Sequence, residues 1–565
     1  MSTIDWIVLF FTLLLIVAYG IYKSRGIHNI EGYIVGNREL PWYNVGFSVM
    51  ATQASAITFL SAPGLAYSSG MSFVQFYFGL PLAMIVLCIT FVPLFHRLKV
   101  YTAYEFLEKR FDIRTRVLTA LLFLIQRGIS TGITIFAPSI ILSSILQLDV
   151  TYTTLIIGTM VILYTVWGGT KAVSYTQLLQ MSIIFTALLA AGVMVVHFLP
   201  DGVGFKEALH IAGKSGKTNA IDWKLDLNNE YTVWTGLIGG FFLQLSYFGT
   251  DQSQVGRYLT GASVRESRLG LLMNGLLKVP MQFCILLIGV LVFAYYQFNT
   301  PPLFFNRVEV AKIEHSPYKA AYGTIIGKHE ELNEIKKSWT EKLVVALKND
   351  DDRGINEARE AIQVQHRKDL HLRAELEGLL KKNNPNVELN DNNYIFLSFV
   401  TSTFPRGLIG LLIAVIFLAS MGSTASAINS LSSTTVIDIY KRFIQQEGSE
   451  SSYLRASRIF TLFWGVVALG VALYASQLGN LLEAVNILGS LFYGTILGIF
   501  LVAFYIKKIG GRAVFWAAIL SEIMVFAIWH FGDMAYLWLN LVGCIAVIML
   551  GWLIQCLCRS KVFSI

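Results

Sequence analysis

Three side chains stand out for the chemistry they could do, because each is ionisable and each falls inside a long apolar run. Arg127 in FLIQRGISTG lies 11 residues beyond Arg116, about 16 Å along a helix, which would place it near the middle of a bilayer. Lys278 in LLKVPM lies 13 residues past Arg265. Asp251 follows Gly249 and Thr250 in LSYFGTDQSQVGRYL. A charge at that depth is costly and needs a cavity or a counter-charge, so it marks a candidate site. The bland readings are snorkelling or structural pairing for the two cations and a helix-break cap for Asp251.

Two further stretches offer neutral oxygens. From Phe47 to Gly70 the chain reads FSVMATQASAITFLSAPGLAYSSG. It is long enough to span a membrane, yet rich in small and hydroxylated residues and interrupted by Pro63-Gly64, which predicts a broken helix. Backbone groups freed by such a break need a partner in protein or in a watery cavity, and so tend to build a binding site. The run Ala419 to Phe443, ASMGSTASAINSLSSTTVIDIYKRF, allows close helix packing and equally supplies oxygens fit for a hard monovalent cation.

The elements that must position these residues are membrane helices. Hydrophobic residues make up 55% of the 565-residue chain and charged residues 14%, with 38 Phe, the balance of a polytopic membrane protein. Five cysteines sit in or beside apolar runs without a CxxC pair, so neither a disulfide framework nor a zinc site is expected. No nucleophile–base set has meaningful spacing, so an enzyme is not expected.

Thirteen apolar stretches have spanning length, near residues 4–23, 43–68, 71–96, 115–145, 149–167, 172–198, 231–256, 265–297, 405–440, 454–475, 480–505, 513–531 and 534–555. The first is followed, not preceded, by Lys23 and Arg25, which predicts an uncleaved helix with its N-terminus outside. On that parity the inside connections hold Arg97, Lys99, Arg116, Lys171, Arg257, Lys441, Arg442, Lys507 and Lys508, with Arg559 and Lys561 at a cytoplasmic C-terminus, as the positive-inside rule requires. The net charge of +8 therefore reports topology, and no nucleic-acid partner is read from it.

Residues 300–393 break the pattern. They carry 15 Lys and Arg against 16 Asp and Glu, leaving 29 against 20 elsewhere. Ile335, Trp339 and Leu343, then Ile355, Ala358 and Ile362, recur at helical spacing and predict a helical hairpin outside the membrane; any partner for it is unknown. The expected organisation is 1–42, an extra helix and inner loop; 43–198, a first repeat; 199–230, an outer loop; 231–299, the start of a second repeat; 300–393, the insertion; 394–505, the rest of the second repeat; and 506–565, two helices and a tail. The second and seventh spans, both broken, would open two five-helix sets of opposite orientation.

The strings MATQASAITFLSAPG, RLKVYTAYEFLEKRF, VWGGTKAVSYTQLLQ, GTDQSQVGRYL and GSTASAINSLSSTTVIDIYKRF, in this order, resemble the sodium:solute symporter family. The resemblance implies an all-α polytopic membrane protein with a LeuT-type five-plus-five inverted repeat and thirteen transmembrane helices, here with an extracytoplasmic helical insertion. It implies sodium as coupling ion, held by Ala51, Ala54, Ala419, Gly422 and Ser423. Gly422 departs from the hydroxyl residue usual there, with Thr424 or a water as possible replacement, and Gln177 replaces an Asp associated with ion coupling; both bear on stoichiometry. Matching the sugar branch brings in Tyr247, Asp251, Lys278 and Asn486, although Thr58 stands where sugar carriers place His or Gln. The helix around Arg127 resembles the monocarboxylate, vitamin and iodide branch, and the sialic-acid carriers also use an arginine on this helix for a carboxylate; the resemblance implies that Arg127 reads an acid group, which its planar guanidinium can grip with two parallel hydrogen bonds. The expected solute cavity is thus Gln53, Thr58, Arg127, Tyr247, Asp251, Lys278 and Asn486, and the expected function is sodium-driven symport of a small organic solute, a carboxylate favoured and a sugar possible, in the plasma (inner) membrane. A proton-coupled carrier or a solute-sensing receptor on the same scaffold are the alternatives.

Overall fold

The structure, a computed structural model, describes residues 1–24, 30–475, 478 and 480–560; Arg25 and Lys561 of the expected inner charges lie outside them. No β-strand occurs among the described residues, which hold one isolated bridge, Leu40 to Gly261. Among the described residues ten helices are long and apolar enough to cross a membrane, or eleven if the bent pair Trp42–Gln53 and Ala56–Ser69 is one span.

The helices that frame the site are α1 (Thr3–Ser24), the broken pair α2 (Trp42–Gln53) and α3 (Ala56–Ser69), α4 (Ile113–Leu146), α5 (Val150–His197), a second broken pair α6 (Gly240–Thr250) and α7 (Gln252–Tyr258), and α8 (Val264–Tyr295). After the insertion come α9 (Asn392–Thr403), α10 (Leu408–Thr434), which continues as a π-helix to Ile444, α11 (Glu450–Tyr474) and α12 (Leu481–Tyr505). Helices Gly511–Phe531 and Tyr536–Ser560 close the chain.

The first break is real but misplaced by the sequence reading. Pro63 and Gly64 lie inside continuous α3, and the chain turns by 59° at Ala54 and Ser55 instead. The Pro63 carbonyl packs closely against Gly289, where an added Cβ would lie 2.2 Å away. Gly64 likewise lets the Asn392 carbonyl approach to 1.9 Å of where its Cβ would stand. The glycine and proline that look like breakers are therefore close-packing residues.

The two spans expected near 149–167 and 172–198 form one helical run, α5; no proline falls within it to stop the helix. Its 48 residues would extend about 72 Å if straight. Both ends nevertheless lie towards the insertion, Phe198 packing on Phe404 at 5.6 Å and Asp149 standing within the field of Lys312. Its middle meets the opposite side, where Lys171 pairs with Glu39 at 2.7 Å and the Thr170 carbonyl accepts from Arg257 at 3.4 Å.

On that opposite side the basic connections hold one another together. Arg116 donates to Asp438 at 2.7 Å and to Glu108 at 2.5 Å, Arg442 also pairs with Glu108, and Arg110 donates to the carbonyls of Ala503 and Ile506. Partial burial disfavours the Glu108 charge, but the hydrogen bonds from Arg442 and Arg116 outweigh it and hold its carboxyl below the usual range.

The insertion is a hairpin of helices Lys319–Lys348 and Asp352–Asn383. Leu343, Ile355 and Ala358 are buried as the spacing predicts, Trp339 and Ile362 half-buried, while Ile335 is 44% exposed. A second small core, with Leu372, Leu376 and Leu380 packed on Phe304, Ile313 and Ile325, seats the far end of the hairpin on the chain that enters it. His329 joins the two hairpin helices through Asp369 at 2.6 Å and links the hairpin to the Pro301 carbonyl at 2.8 Å, as Arg373 links it to Asp391 at 2.5 Å.

Candidate solute cavity and ion site

Where α2 ends, backbone geometry exposes two carbonyls. In an unbroken helix the Ser55 amide would serve the Ala51 carbonyl and the Thr58 amide that of Ala54. Here the Ser55 amide bonds to Gln53 at 3.1 Å and the Thr58 amide to Ser55 at 3.0 Å. Ala51 and Ala54, expected as ion ligands, are thus the residues whose carbonyl oxygens the break deprives of their helical donors.

Opposite them stands α10, buried along nearly its whole length. Ser423 donates to the Ala419 carbonyl at 2.8 Å, and Thr52 on α2 meets Ser426 on α10 at 3.1 Å. Gln177 of α5 spans the gap: its Nε2 donates to the Gly422 carbonyl at 3.2 Å and to Thr52 Oγ1 at 3.2 Å, and its Oε1 accepts from Ser48 at 2.6 Å. Thr424, one candidate to supply the oxygen missing at Gly422, is turned towards Thr134 on α4 at 3.4 Å.

A few residues further along, the gap between the broken helices opens as a cavity. Gln53, Ser55, Ile57 and Thr58 line it from α2 and α3, Gln126 and Arg127 from α4, Leu243, Gln244 and Tyr247 from α6, and Leu482, Val485, Asn486, Gly489 and Tyr493 from α12, with Phe76 and Tyr77. Five of the seven expected solute residues are here: Gln53, Thr58, Arg127, Tyr247 and Asn486. Asp251 and Lys278 are not. Asp251 ends the second break, capping α7 through the Ser253 amide at 2.8 Å and hydroxyl at 2.6 Å. Its other oxygen accepts from Tyr493 at 2.8 Å and lies 3.7 Å from Arg127 Nε, so Arg127 and Tyr493 stand between it and the cavity. Lys278, fully buried, lies behind Tyr77, with its ammonium 5.6 Å from the ring centroid.

Arg127 is the one charged side chain among the described lining residues. It donates to Ser253, whose hydroxyl in turn donates to Asp251, and to Tyr247 at 3.5 Å. The rest of the polar wall is amide. Gln53 donates to Gln244 at 3.4 Å, while Gln53 Oε1, Gln244 Nε2, Gln126 Oε1 and Asn486 Nδ2 are buried without a protein partner. Buried polar atoms are ordinarily satisfied, and a cluster of orphans around one cavity is what a hydrogen-bonding solute would complete. Gln126, Gln244 and Tyr493 are absent from the sequence expectation. The clue was available in Gln126 and Gln244, uncharged polar residues in the middle of apolar helices.

The family model described as SSF: Sodium:solute symporter family matches residues 33–316 and 383–521, leaving out most of the insertion. The human sodium/iodide cotransporter is 33% identical over 309 residues, which are 53% of this chain and 46% of that protein; this match thus spans under half of the relative's length. The sodium/sialic acid symporter NanT of Aliivibrio fischeri is 24% identical over 564 residues, 98% of this chain and 93% of the relative. A solved substrate-bound, outward-open Na+-coupled sialic acid symporter superposes with a TM-score of 0.76 at 22% identity, covering 98% of both chains, a likeness of fold.

Proposed function

Because the chain belongs to the sodium:solute symporter family, we propose that it carries a carboxylate-bearing organic solute, with further hydrogen-bonding groups, across the plasma membrane together with sodium. Sodium is the coupling ion, and the protein is a multi-pass membrane transporter rather than an enzyme. The observation that carries the solute reading is Arg127: the one charged lining side chain, set among orphaned amides. A guanidinium held from behind by Asp251 and Ser253, and by Tyr247 in the cavity wall, is oriented in advance, so less rotamer entropy is lost when an anion binds. A neutral sugar would leave that cation without a counter-group in the cavity.

Sodium would bind between the break and α10, on the Ala51, Ala54, Ala419 and Gly422 carbonyls and the Ser423 hydroxyl. Ala51 and Ala54 favour this assignment because their oxygens lack helical donors. An ion there would tie the broken helix to α10 and favour the substrate-competent state, with a coupling free energy of about 1–3 kcal/mol if typical.

Thirteen crossings result if the shorter apolar helix Val150–Leu163 and the broken segment Thr235–Tyr258 are added to the eleven. The pair of breaks, at Ala54 and at Asp251, supports the five-plus-five inverted repeat. The insertion would lie outside and the arginine network around Asp438 inside, with the N-terminus outside.

Uptake into proteoliposomes tests the reading. An acid driven by an inward sodium gradient, with neither its amide nor its alcohol analogue taken up, is expected. Equal uptake of an uncharged sugar would overturn the carboxylate assignment, and unchanged uptake with choline in place of sodium would overturn the ion site.

A further inference from the structure

The ion site just described has a gap at Gly422. That residue offers no side chain, and its carbonyl already accepts from Gln177 at 3.2 Å. The space a side chain would fill is occupied from α5: a Cβ built on Gly422 would meet Gln180 Oε1 at 2.5 Å. Gln180 is 1% exposed, and neither its Oε1 nor its Nε2 has a hydrogen-bond partner. It lies three residues beyond Gln177, on the same face of α5 towards α10. The nearby hydroxyls are otherwise engaged, Thr424 with Thr134 and Ser426 with Thr52.

We infer that Gln180 is a sodium ligand: its amide oxygen takes the place of the side-chain oxygen that Gly422 lacks. An amide oxygen is neutral and hard, the same donor chemistry as the backbone carbonyls across the gap, and suits a monovalent cation stripped of water. The orphaned acceptor is then accounted for, since an ion bound at Oε1 satisfies an oxygen that protein does not. The glycine is accounted for as well, because any larger residue at 422 would push the Gln180 oxygen away. Gln177 and Gln180 divide the work. Gln177 holds α2, α5 and α10 in register through its three hydrogen bonds, and Gln180 reaches the cation.

This inference rests on the sodium site proposed above, and the experiment separates the two. Half-saturating sodium for solute uptake is measured in proteoliposomes for wild type, Ser423→Ala, Gln180→Met, and Gln180→Ala combined with Gly422→Ser. Folding is checked by thermal denaturation of each purified variant. Gln180→Met keeps the volume and removes the oxygen; it should raise half-saturating sodium by about tenfold. The double variant returns an oxygen from the 422 side while removing the amide in its way, and should recover most of that loss. If Ser423→Ala shifts the sodium dependence and Gln180→Met does not, the inference is overturned and the parent site stands. If neither variant shifts it, the parent site falls, and this ligand with it.

Discussion

Arg127 and Asp251 face each other at 3.7 Å, Nε to Oδ2, with only the arginine reaching the cavity. The pair sits at the break between α6 and α7, so one carboxylate caps a helix and anchors the cation that would read the solute. Arg127→Ala leaves Asp251 buried without its cation and should destabilise the protein by about 3–5 kcal/mol. Arg127→Gln with Asp251→Asn removes both charges together and should keep most of the stability while still losing acid uptake. Thermal denaturation and uptake, measured side by side, separate the two roles; acid uptake retained in a folded double variant would rule out a solute role for Arg127.

Ser423→Ala should raise half-saturating sodium by about tenfold, with little change in melting temperature, because its hydroxyl otherwise donates only within its own helix, to Ala419 and Ser420. Sodium titration of uptake at fixed pH is the check, and an unchanged midpoint would remove this hydroxyl from the ion site.

Arg116 is 4% exposed and Asp438 fully buried, with the Thr102 hydroxyl as a further donor to the carboxylate at 2.9 Å. Arg116→Met should cost about 3–5 kcal/mol by stranding a buried carboxylate. It should also loosen the face opposite the insertion, read as faster labelling of a cysteine placed at Ala103. Labelling at the wild-type rate would show that this network does not hold that face closed.

Acid should loosen the insertion where it protonates Asp369. Burial raises its carboxyl, but the hydrogen bond and charge of His329, with Lys336, outweigh that and hold it below its ordinary 3.8. A carboxyl lowered in the folded state adds stability that is fully present above the unfolded value and is lost as pH falls through the folded one. His329→Gln should therefore move the acid loosening of residues 319–383 to higher pH. Hydrogen exchange of that segment from pH 6 down to 3 shows the shift, and identical profiles would leave His329 no part in it.

What could be read from sequence followed the cost of burial. A lone Arg127 in an apolar helix is expensive enough to be conspicuous, and the structure puts it in the cavity wall. Lys278 looked equally expensive, but one-dimensional depth cannot show that Tyr77 stands in front of it. Asp251 was read both as cap and as solute contact; its contacts make it a cap and place Arg127 between it and the cavity. The break was expected at Pro63-Gly64, where composition is most disruptive, yet that turn stays helical and packs closely against Gly289 and Asn392. The chain breaks at Ala54-Ser55, residues with no strong signal of their own. Gln126, Gln180 and Gln244 went unremarked because an amide carries no charge to draw attention; their place in apolar helices was a faint clue, and their missing partners in three dimensions mark them out.

The chain leaving the insertion runs straight from Asp391, clamped by Arg373, to Asn392, whose carbonyl lies against the backbone of Gly64 in α3. No side chain cushions that contact. The hairpin and α3 are in effect geared together, so a binder that gripped residues 319–383 would act as a brake on the transport stroke without ever entering the cavity.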